Sequence, residues 1–182
     1  MNHPVVPSSR HPVIFLVGYR GSGKSSVARL VAESLGWHAL DMDALIESRR
    51  GLSVREIFAK EGEVAFRQLE ADLVQEVSRL RHHVIATGGG VILDVDNRAC
   101  LRESGLVIWL TANPETLWQR ISQDATTLER RPDLNVGGLP EIEHLLHVRE
   151  PHYRECANMI VKTDDRTPEE VAREILAQVN RE

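Results

Sequence analysis

The feature that most constrains the fold of this chain is a glycine-rich run that separates two segments of different periodicity. The segment PVIFLV is a short apolar run rich in β-branched residues, which is typical of a buried strand. It leads into GYRGSGKS, residues 18–25, and from Lys24 to Gly36 apolar residues recur at helical spacing. The run matches the pattern G-x-x-x-x-G-K-[ST] at every position, in the strand-then-helix context that this pattern requires. The sequence therefore predicts a strand, a phosphate-binding loop and a helix in succession.

A loop of this kind binds phosphate because its glycines let successive backbone N–H groups point at one anion. The N-terminus of the following helix adds the positive end of its dipole. Lys24 is expected to reach the β- and γ-phosphates, and the Ser25 hydroxyl to bind Mg²⁺. The residues expected to contact the nucleotide in this loop are Gly21, Ser22, Gly23, Lys24, Ser25 and Ser26. We therefore expect a binding site for a nucleoside triphosphate with magnesium.

The rest of the chain alternates short apolar runs with helical patterns. Strands are predicted in WHALD, HVIAT, LVIWLT and NMIVKT, and helices at residues 63–80, 95–102, 114–121 and 141–155. Ser53 and Thr167, each followed three residues later by a glutamate, are spaced as N-caps of two further helices. Five buried strands that alternate with helices predict a parallel sheet covered on both faces, with ligands at the carboxyl ends of the strands.

Length and composition exclude several classes of protein. With 182 residues the chain suits one domain, predicted at 12–182 after a disordered leader at 1–11. No apolar run approaches the ~18 residues of a membrane span, and the first residues do not resemble a secretory signal. A net charge of −5 argues against a nucleic-acid partner, and only two cysteines suit a reducing cytoplasm. We therefore expect a cytoplasmic monomer without nucleic-acid or membrane partners.

Two carboxylates follow the second predicted strand, in the sequence Asp41-Met42-Asp43. At the carboxyl end of a strand they could divide two tasks. One could hold magnesium through water, and the other could accept a proton from an attacking hydroxyl. The alternative is that they cap a following helix.

Three further groups fall where a second ligand could bind. Arg67 and Glu70 lie one turn apart on the predicted helix 63–80, so the glutamate could hold the guanidinium in place, although a solvated surface pair is the alternative. Three glycines at 88–90 directly follow a strand, which favours close approach of a ligand. The polar segment 123–139 is predicted to be a mobile lid that could carry a cation over the phosphates.

Two classes of nucleotide-binding protein are disfavoured by the sequence, namely GTPases and motors or helicases. It contains no N-K-x-D tetrapeptide, which a GTPase would use to read guanine, and motors or helicases are normally larger. A kinase that acts on a small molecule or a nucleotide is therefore favoured.

Seven segments together resemble one family: GYRGSGKSS, LDMD, GEVAFRQLE, ATGGGVI, RRPDL, VREPHYRECA and VKTDDRTPEEV occur in the order found in shikimate kinases. The resemblance covers about residues 15–179. It implies a P-loop, nucleoside-monophosphate-kinase-like α/β domain of three layers, with a five-stranded parallel sheet in the order 2-3-1-4-5, helices on both faces and a lid. It also implies transfer of the γ-phosphate of ATP to the 3-hydroxyl of shikimate, in the chorismate branch of aromatic amino-acid synthesis.

The resemblance implies roles for individual residues of the shikimate side. Asp43 would bind the shikimate hydroxyls and is the candidate base. Arg67 and Arg149 would pair with the shikimate carboxylate, and Gly89 and Gly90 would line the same site. Phe58 and Phe66 would pack against the shikimate ring, although core packing would also explain both.

The resemblance assigns the nucleotide side as well. Asp41 would lie near magnesium, together with Ser25. Arg131 would be the lid arginine at the transferred phosphate, with Arg130 as the alternative. Arg120 would lie near the adenine, beside the segment around residues 165–168.

Two rival functions differ in what they require of these residues. Another small-molecule kinase of the same fold, such as a gluconate kinase, would not need the pair Arg67 and Arg149 for a ring carboxylate. A regulatory module that binds a nucleotide without turnover would need neither the Asp41–Asp43 carboxylates nor a lid arginine.

Overall fold

The structure is a computed structural model that describes residues 12–123 and 138–179. The predicted leader at 1–11 lies outside these residues. Most of the predicted lid at 123–139 also lies outside them, and that part contains Arg130 and Arg131. The described elements are, in chain order, β1 (Val13–Val17), α1 (Lys24–Leu35), β2 (His38–Asp41), α2 (Met42–Arg50), α3 (Val54–Val77), β3 (His83–Ala86), a 3₁₀ turn (Val91–Leu93), α4 (Val95–Ser104), β4 (Leu106–Thr111), α5 (Pro114–Gln123), α6 (Gly138–Cys156), β5 (Met159–Lys162) and α7 (Pro168–Val179).

The five strands form one parallel sheet in the order β2-β3-β1-β4-β5, which confirms the predicted order. In the centre of the sheet Phe15 is in register with Ile85 on one side and with Val107 on the other. Because parallel neighbours need crossover connections, helices cover the sheet. All five residues of β1 are fully buried, which explains why this strand is uniformly apolar.

Alternate residues of β1 face two separate parts of the core. Val13, Phe15 and Val17 belong to a cluster with residues of α2, α3, α4 and α6. Ile14 and Leu16 belong to a second cluster, built with α1 and α7. The strand is therefore held by apolar packing on both faces as well as by hydrogen bonds on both edges. None of the helices within 12–123 and 138–179 is both long and apolar enough to cross a membrane.

Most predicted helices are confirmed, with differences at their ends. The helix predicted at 141–155 begins three residues earlier, at Gly138, and continues to Cys156. Two elements are not among the predicted ones, namely α2 and the 3₁₀ turn. Helix α3 contains a break at Gly62, with φ 86° and ψ 170°, a conformation that glycine adopts far more readily than other residues. This break separates the capped segment that begins after Ser53 from the predicted long helix.

Both predicted N-caps are present. Ser53 Oγ accepts a hydrogen bond from the backbone N–H of Glu56 at 3.2 Å, and the Glu56 carboxylate accepts one from the backbone N–H of Ser53 at 2.9 Å. Thr167 and Glu170 make the same reciprocal pair at the start of α7, at 3.3 Å and 2.8 Å. These side chains bond N–H groups that a helix leaves without partners at its start.

We expect Ser53→Ala to lower the free energy of unfolding by about 1 kcal/mol, because alanine cannot accept the Glu56 N–H bond. Chemical denaturation at neutral pH measures this change. The matched control is Ser78→Ala at the other end of α3, where the hydroxyl donates to the Gln75 carbonyl and caps no N–H group. We expect this control to change stability by less than about 0.5 kcal/mol. Equal effects of the two variants would contradict the capping role.

Candidate active site

The sheet order brings three loops together at one edge. Strands β2, β3 and β1 are neighbours, so the segments that follow them, around residues 41–43, 87–90 and 18–23, leave the sheet side by side. The carboxyl ends of parallel strands are the usual place for ligands in such sheets. The phosphate loop, the Asp41–Asp43 carboxylates and the three glycines at 88–90 therefore lie at the same end of the sheet.

The phosphate loop is closely packed against the strand beside it. Gly18 has φ 144°, and a Cβ atom at this position would lie 2.3 Å from the Leu110 carbonyl oxygen. Gly23 is the N-cap of α1 and has a left-handed conformation. The Lys24 side chain is buried, and its Nζ donates hydrogen bonds to the carbonyl oxygens of Gly18 and Tyr19, both at 2.9 Å. The Lys24 ammonium group therefore packs against the backbone at the start of the phosphate loop.

Asp41 joins the phosphate loop to the end of β2. The Ser25 hydroxyl donates to Asp41 Oδ2 at 2.5 Å, while Asp41 Oδ1 accepts the backbone N–H of Ala44 at 3.1 Å and caps α2. Asp41 therefore caps a helix, as the alternative interpretation predicted, and its other carboxylate oxygen faces the phosphate loop. Asp43 is partly buried in the first turn of α2.

The donors at this position fit a magnesium ion. A serine hydroxyl and a carboxylate are hard oxygen ligands, and Mg²⁺ is typically held by one or two carboxylates while phosphates and water complete its shell. Among residues 12–123 and 138–179 no three or more histidine, cysteine or acidic residues are grouped as a metal site. Ser25 and Asp41 offer one hydroxyl and one carboxylate, which suits an ion whose remaining ligands are phosphate and water.

Arg67 lies directly over the glycine turn that follows β3. A Cβ atom on Gly90 would lie 2.4 Å from Arg67 Nη1, so a larger residue there would displace the guanidinium from this position. Arg67 Nη1 donates to Glu70 at 2.8 Å and Nη2 donates to Glu63 at 3.0 Å. The Glu70 side chain is only 1% exposed, so this is not the solvated surface pair that the spacing alone would also allow. The two carboxylates hold the guanidinium in place.

Arg149 reaches the same turn from α6. Its Nη1 lies 3.5 Å from the Gly89 carbonyl oxygen, and its guanidinium carbon lies 5.5 Å from the centre of the Tyr19 ring. The Tyr153 hydroxyl, one helical turn further on, donates to the same Gly89 oxygen at 2.5 Å. Two arginines from different helices thus meet one glycine turn beside the phosphate loop.

Arg120 lies on the other side of the loop, between two backbone segments. Its guanidinium donates to the carbonyl oxygen of Thr163 at 2.5 Å, to the hydroxyl of the same threonine at 3.0 Å and to the carbonyl oxygen of Gly21 at 3.4 Å. Thr163 directly follows β5 and precedes the segment 165–168. Arg120 is therefore bonded to a residue two positions before the segment that was expected beside the adenine.

Some residues at this site were not selected from the sequence. Tyr19 occupies a variable position of the loop motif, and Glu141 forms an ion pair with Arg20 of the same loop. Neither residue could be selected from the sequence, because Tyr19 contacts Arg149 and Glu141 contacts Arg20, and both contacts join positions far apart in the chain. Phe58 and Phe66 contact each other with ring centres 4.8 Å apart, and Phe66 is fully buried, so core packing accounts for its position.

The sheet order and the loop at the end of β1 define the class of protein as a P-loop kinase. The family model described as shikimate kinase matches residues 20–180. The chain belongs to the shikimate kinase family.

Individual relatives agree with this assignment. Shikimate kinase of Rhodopirellula baltica is 43% identical over 164 residues, which are 90% of this chain and 88% of that protein. Shikimate kinase of Moorella thermoacetica is 45% identical over 162 residues, or 89% and 91% of the two chains. Among solved structures, shikimate kinase from Acinetobacter baumannii in complex with shikimate superposes with a TM-score of 0.87 at 36% identity, covering 97% of this chain and 94% of that one. A gluconokinase from Sinorhizobium meliloti has a TM-score of 0.56 at 20% identity over 94% of each chain, which shows the shared fold alone.

Proposed function

We propose that this chain is an ATP-dependent kinase that transfers the γ-phosphate of ATP to the 3-hydroxyl of shikimate, giving shikimate 3-phosphate and ADP. Membership of the family supports the reaction. The observation that carries the choice of acceptor is that Arg67 and Arg149 meet the glycine turn beside the phosphate loop. Two fixed guanidiniums are suited to a carboxylate, which shikimate carries on its ring.

The acceptor would be bound by Arg67 and Arg149 through its carboxylate, with Gly89 and Gly90 against its ring and Asp43 at its hydroxyls. Glu63 accepts from Nε and Nη2 of Arg67 and Glu70 accepts from Nη1, which fixes the guanidinium. Each Nη atom carries a second N–H that can donate to a ligand, which supports this role. Asp43 is proposed as the general base that accepts the proton from the attacking hydroxyl. Its place in the first turn of α2, two residues after the Asp41 that bonds Ser25, supports this role.

The donor would be bound by the loop residues Gly21, Ser22, Gly23, Lys24, Ser25 and Ser26. A phosphate offers Lys24 a charged acceptor in place of the two carbonyl oxygens that it now bonds, and such charge-assisted bonds are stronger. Arg120 would lie beside the adenine, which its contacts with Gly21 and Thr163 support. Ser25 and Asp41 would hold Mg²⁺, which when bound neutralises charge on the β- and γ-phosphates.

We further propose that the protein works as a monomer in the cytoplasm on small molecules, without a nucleic-acid or membrane partner. Its net charge of −5 supports the absence of a nucleic-acid partner, since a nucleic-acid surface would repel it. The thiols of Cys100 and Cys156 are both free, which suits a reducing compartment.

The experiment that tests the proposed function is an ADP-release assay with a panel of acceptors. Purified protein receives ATP and Mg²⁺ with shikimate, quinate, gluconate or a nucleoside monophosphate. We expect ADP release above background with shikimate, and little with gluconate or the nucleotides, which lack a ring carboxylate. A preference for gluconate would favour the rival kinase. Nucleotide binding without acceptor-dependent release would favour a regulatory module.

We expect Arg67→Lys to raise the KM for shikimate by about 10- to 100-fold and to change the KM for ATP much less. Lysine keeps the charge but loses the planar fork that Glu63 and Glu70 hold. Arg49→Lys is the matched control, since Arg49 makes a similar two-point contact with Glu76, at 2.6 Å for both bonds. The control should keep both KM values. Equal effects of Arg67→Lys on the two substrates would show that Arg67 does not face the acceptor.

We expect Asp41→Asn to raise the Mg²⁺ concentration for half-maximal activity about tenfold or more, because a neutral amide binds the ion less well. Asparagine is as good an N-cap as aspartate, so α2 should remain intact, which circular dichroism can check. Asp94→Asn is the control, since Asp94 caps α4 by accepting the N–H groups of Asp96 and Asn97. An unchanged Mg²⁺ dependence in Asp41→Asn would remove Asp41 from the metal site.

A further inference from the structure

The phosphate-loop motif leaves four positions variable, and this chain fills two of them with Tyr19 and Arg20. Nothing in phosphate binding requires an aromatic ring there, because the backbone N–H groups supply the contacts. The Tyr19 side chain is nevertheless almost fully buried, with 2% of its surface exposed. It packs in a small apolar cluster with residues of α5 and α6, among them Ile121 and Ile142. A ring in this position needs an explanation beyond the motif.

Two guanidiniums lie within reach of the Tyr19 ring. The Cζ atom of Arg149 lies 5.5 Å from the ring centre and that of Arg20 lies 5.8 Å from it, both within the ~6 Å range of cation–π attraction. Arg149 is only 6% exposed, so this attraction is little weakened by water. By contrast, the hydrogen bond from Arg149 to Gly89 is long, at 3.5 Å. The ring is therefore a major partner of the Arg149 guanidinium.

The loop that carries the Tyr19 ring is tied to α6. Arg20 forms an ion pair with Glu141 at 3.3 Å, and the Glu141 side chain is 1% exposed. Glu141 and Arg149 lie about two turns apart on α6, since Arg149 is eight positions further along the helix. The loop dipeptide Tyr19-Arg20 is thus joined to this helix at two points. Tyr153 adds a third link, from the same helix to the Gly89 carbonyl oxygen.

Tyr19 also contacts the lysine of the phosphate loop, through its backbone rather than its ring. Its carbonyl oxygen accepts a hydrogen bond from Lys24 Nζ at 2.9 Å. Burial raises the pKa of the Tyr19 hydroxyl, and the nearby Arg20 and Arg149 charges offset this only in part. The side chain is therefore neutral at physiological pH, and it offers Arg149 the face of a neutral ring.

We propose that Tyr19 is a positioning residue for the acceptor, whose ring holds the Arg149 guanidinium in the orientation that pairs with the acceptor carboxylate. A guanidinium that lies over a ring keeps its N–H groups at its edge, where they can donate to a carboxylate. This inference rests on the proposed function, in which Arg149 binds the shikimate carboxylate. It adds that the phosphate loop, which binds ATP, also orients Arg149, which binds the acceptor.

The test replaces the ring and follows both substrates separately. We expect Tyr19→Leu to raise the KM for shikimate about 10- to 30-fold, with little change in the KM for ATP. Tyr19→Phe keeps the ring and should keep the KM for shikimate near the wild-type value. Tyr19→Met has nearly the volume of leucine in a longer, more flexible side chain without a π face. It therefore serves as a second variant should leucine destabilise the fold, and we expect the same rise. Circular dichroism and thermal unfolding establish that each variant is folded.

A double variant isolates the contact. In an Arg149→Ala background, adding Tyr19→Leu should raise the KM for shikimate no further, because the group that the ring positions is gone. A further rise in this KM, of the size that Tyr19→Leu causes in the wild type, would overturn the inference. It would also be overturned if Tyr19→Leu raised the KM values for shikimate and ATP equally, or if Tyr19→Phe raised the KM for shikimate as much as Tyr19→Leu.

The two proposals fail in different ways. A wild-type protein without shikimate-dependent ADP release overturns the proposed function and this inference with it. An active wild-type protein whose folded leucine and methionine variants keep the KM for shikimate overturns the inference alone.

Discussion

The rest of the structure depends on the central strand β1. It is hydrogen-bonded to β3 on one edge and β4 on the other, and apolar clusters pack on both of its faces. A segment with partners in all four directions has almost no freedom to shift, because every displacement breaks backbone bonds or opens a void. The loop that leaves its carboxyl end starts from a fixed point, and Gly18 is packed against the Leu110 carbonyl oxygen. Phosphate chemistry needs such a preorganised loop.

Helix α6 is the second support, and it serves the acceptor side. It carries Glu141 to the phosphate loop, and Arg149 and Tyr153 to the glycine turn after β3. Buried charges are costly unless they are paired, and the net stability of such pairs is small. We therefore interpret the ion pairs of Arg20 and of Arg67 as devices that orient guanidiniums rather than as sources of stability. Orientation is what a reaction between two bound ligands requires.

Much of the fold could be predicted from the sequence because its signals are local. The strand β1 and the helix α1 follow from apolar periodicity, and the capping box at Ser53 follows from two residues three positions apart. Helix α2 was missed because its nine residues carry a weak apolar pattern, and only Met42 and Ile46 are buried. The sheet order followed from the family resemblance, since periodicity alone does not say which strands are neighbours.

The sequence by itself determined the phosphate loop, the residue types available to the site and the alternation of strands and helices. Each of these depends on neighbours within a few positions of the chain. Only the tertiary structure decided that Asp41 faces Ser25, that Glu70 is buried against Arg67 and that Tyr19 lies beside Arg149. In the Tyr19 contact, 130 positions separate the two residues, so no local pattern encodes it. Such contacts exist because parallel strand pairing and helix packing bring the loops together, and burial then removes the water that would otherwise surround each charge.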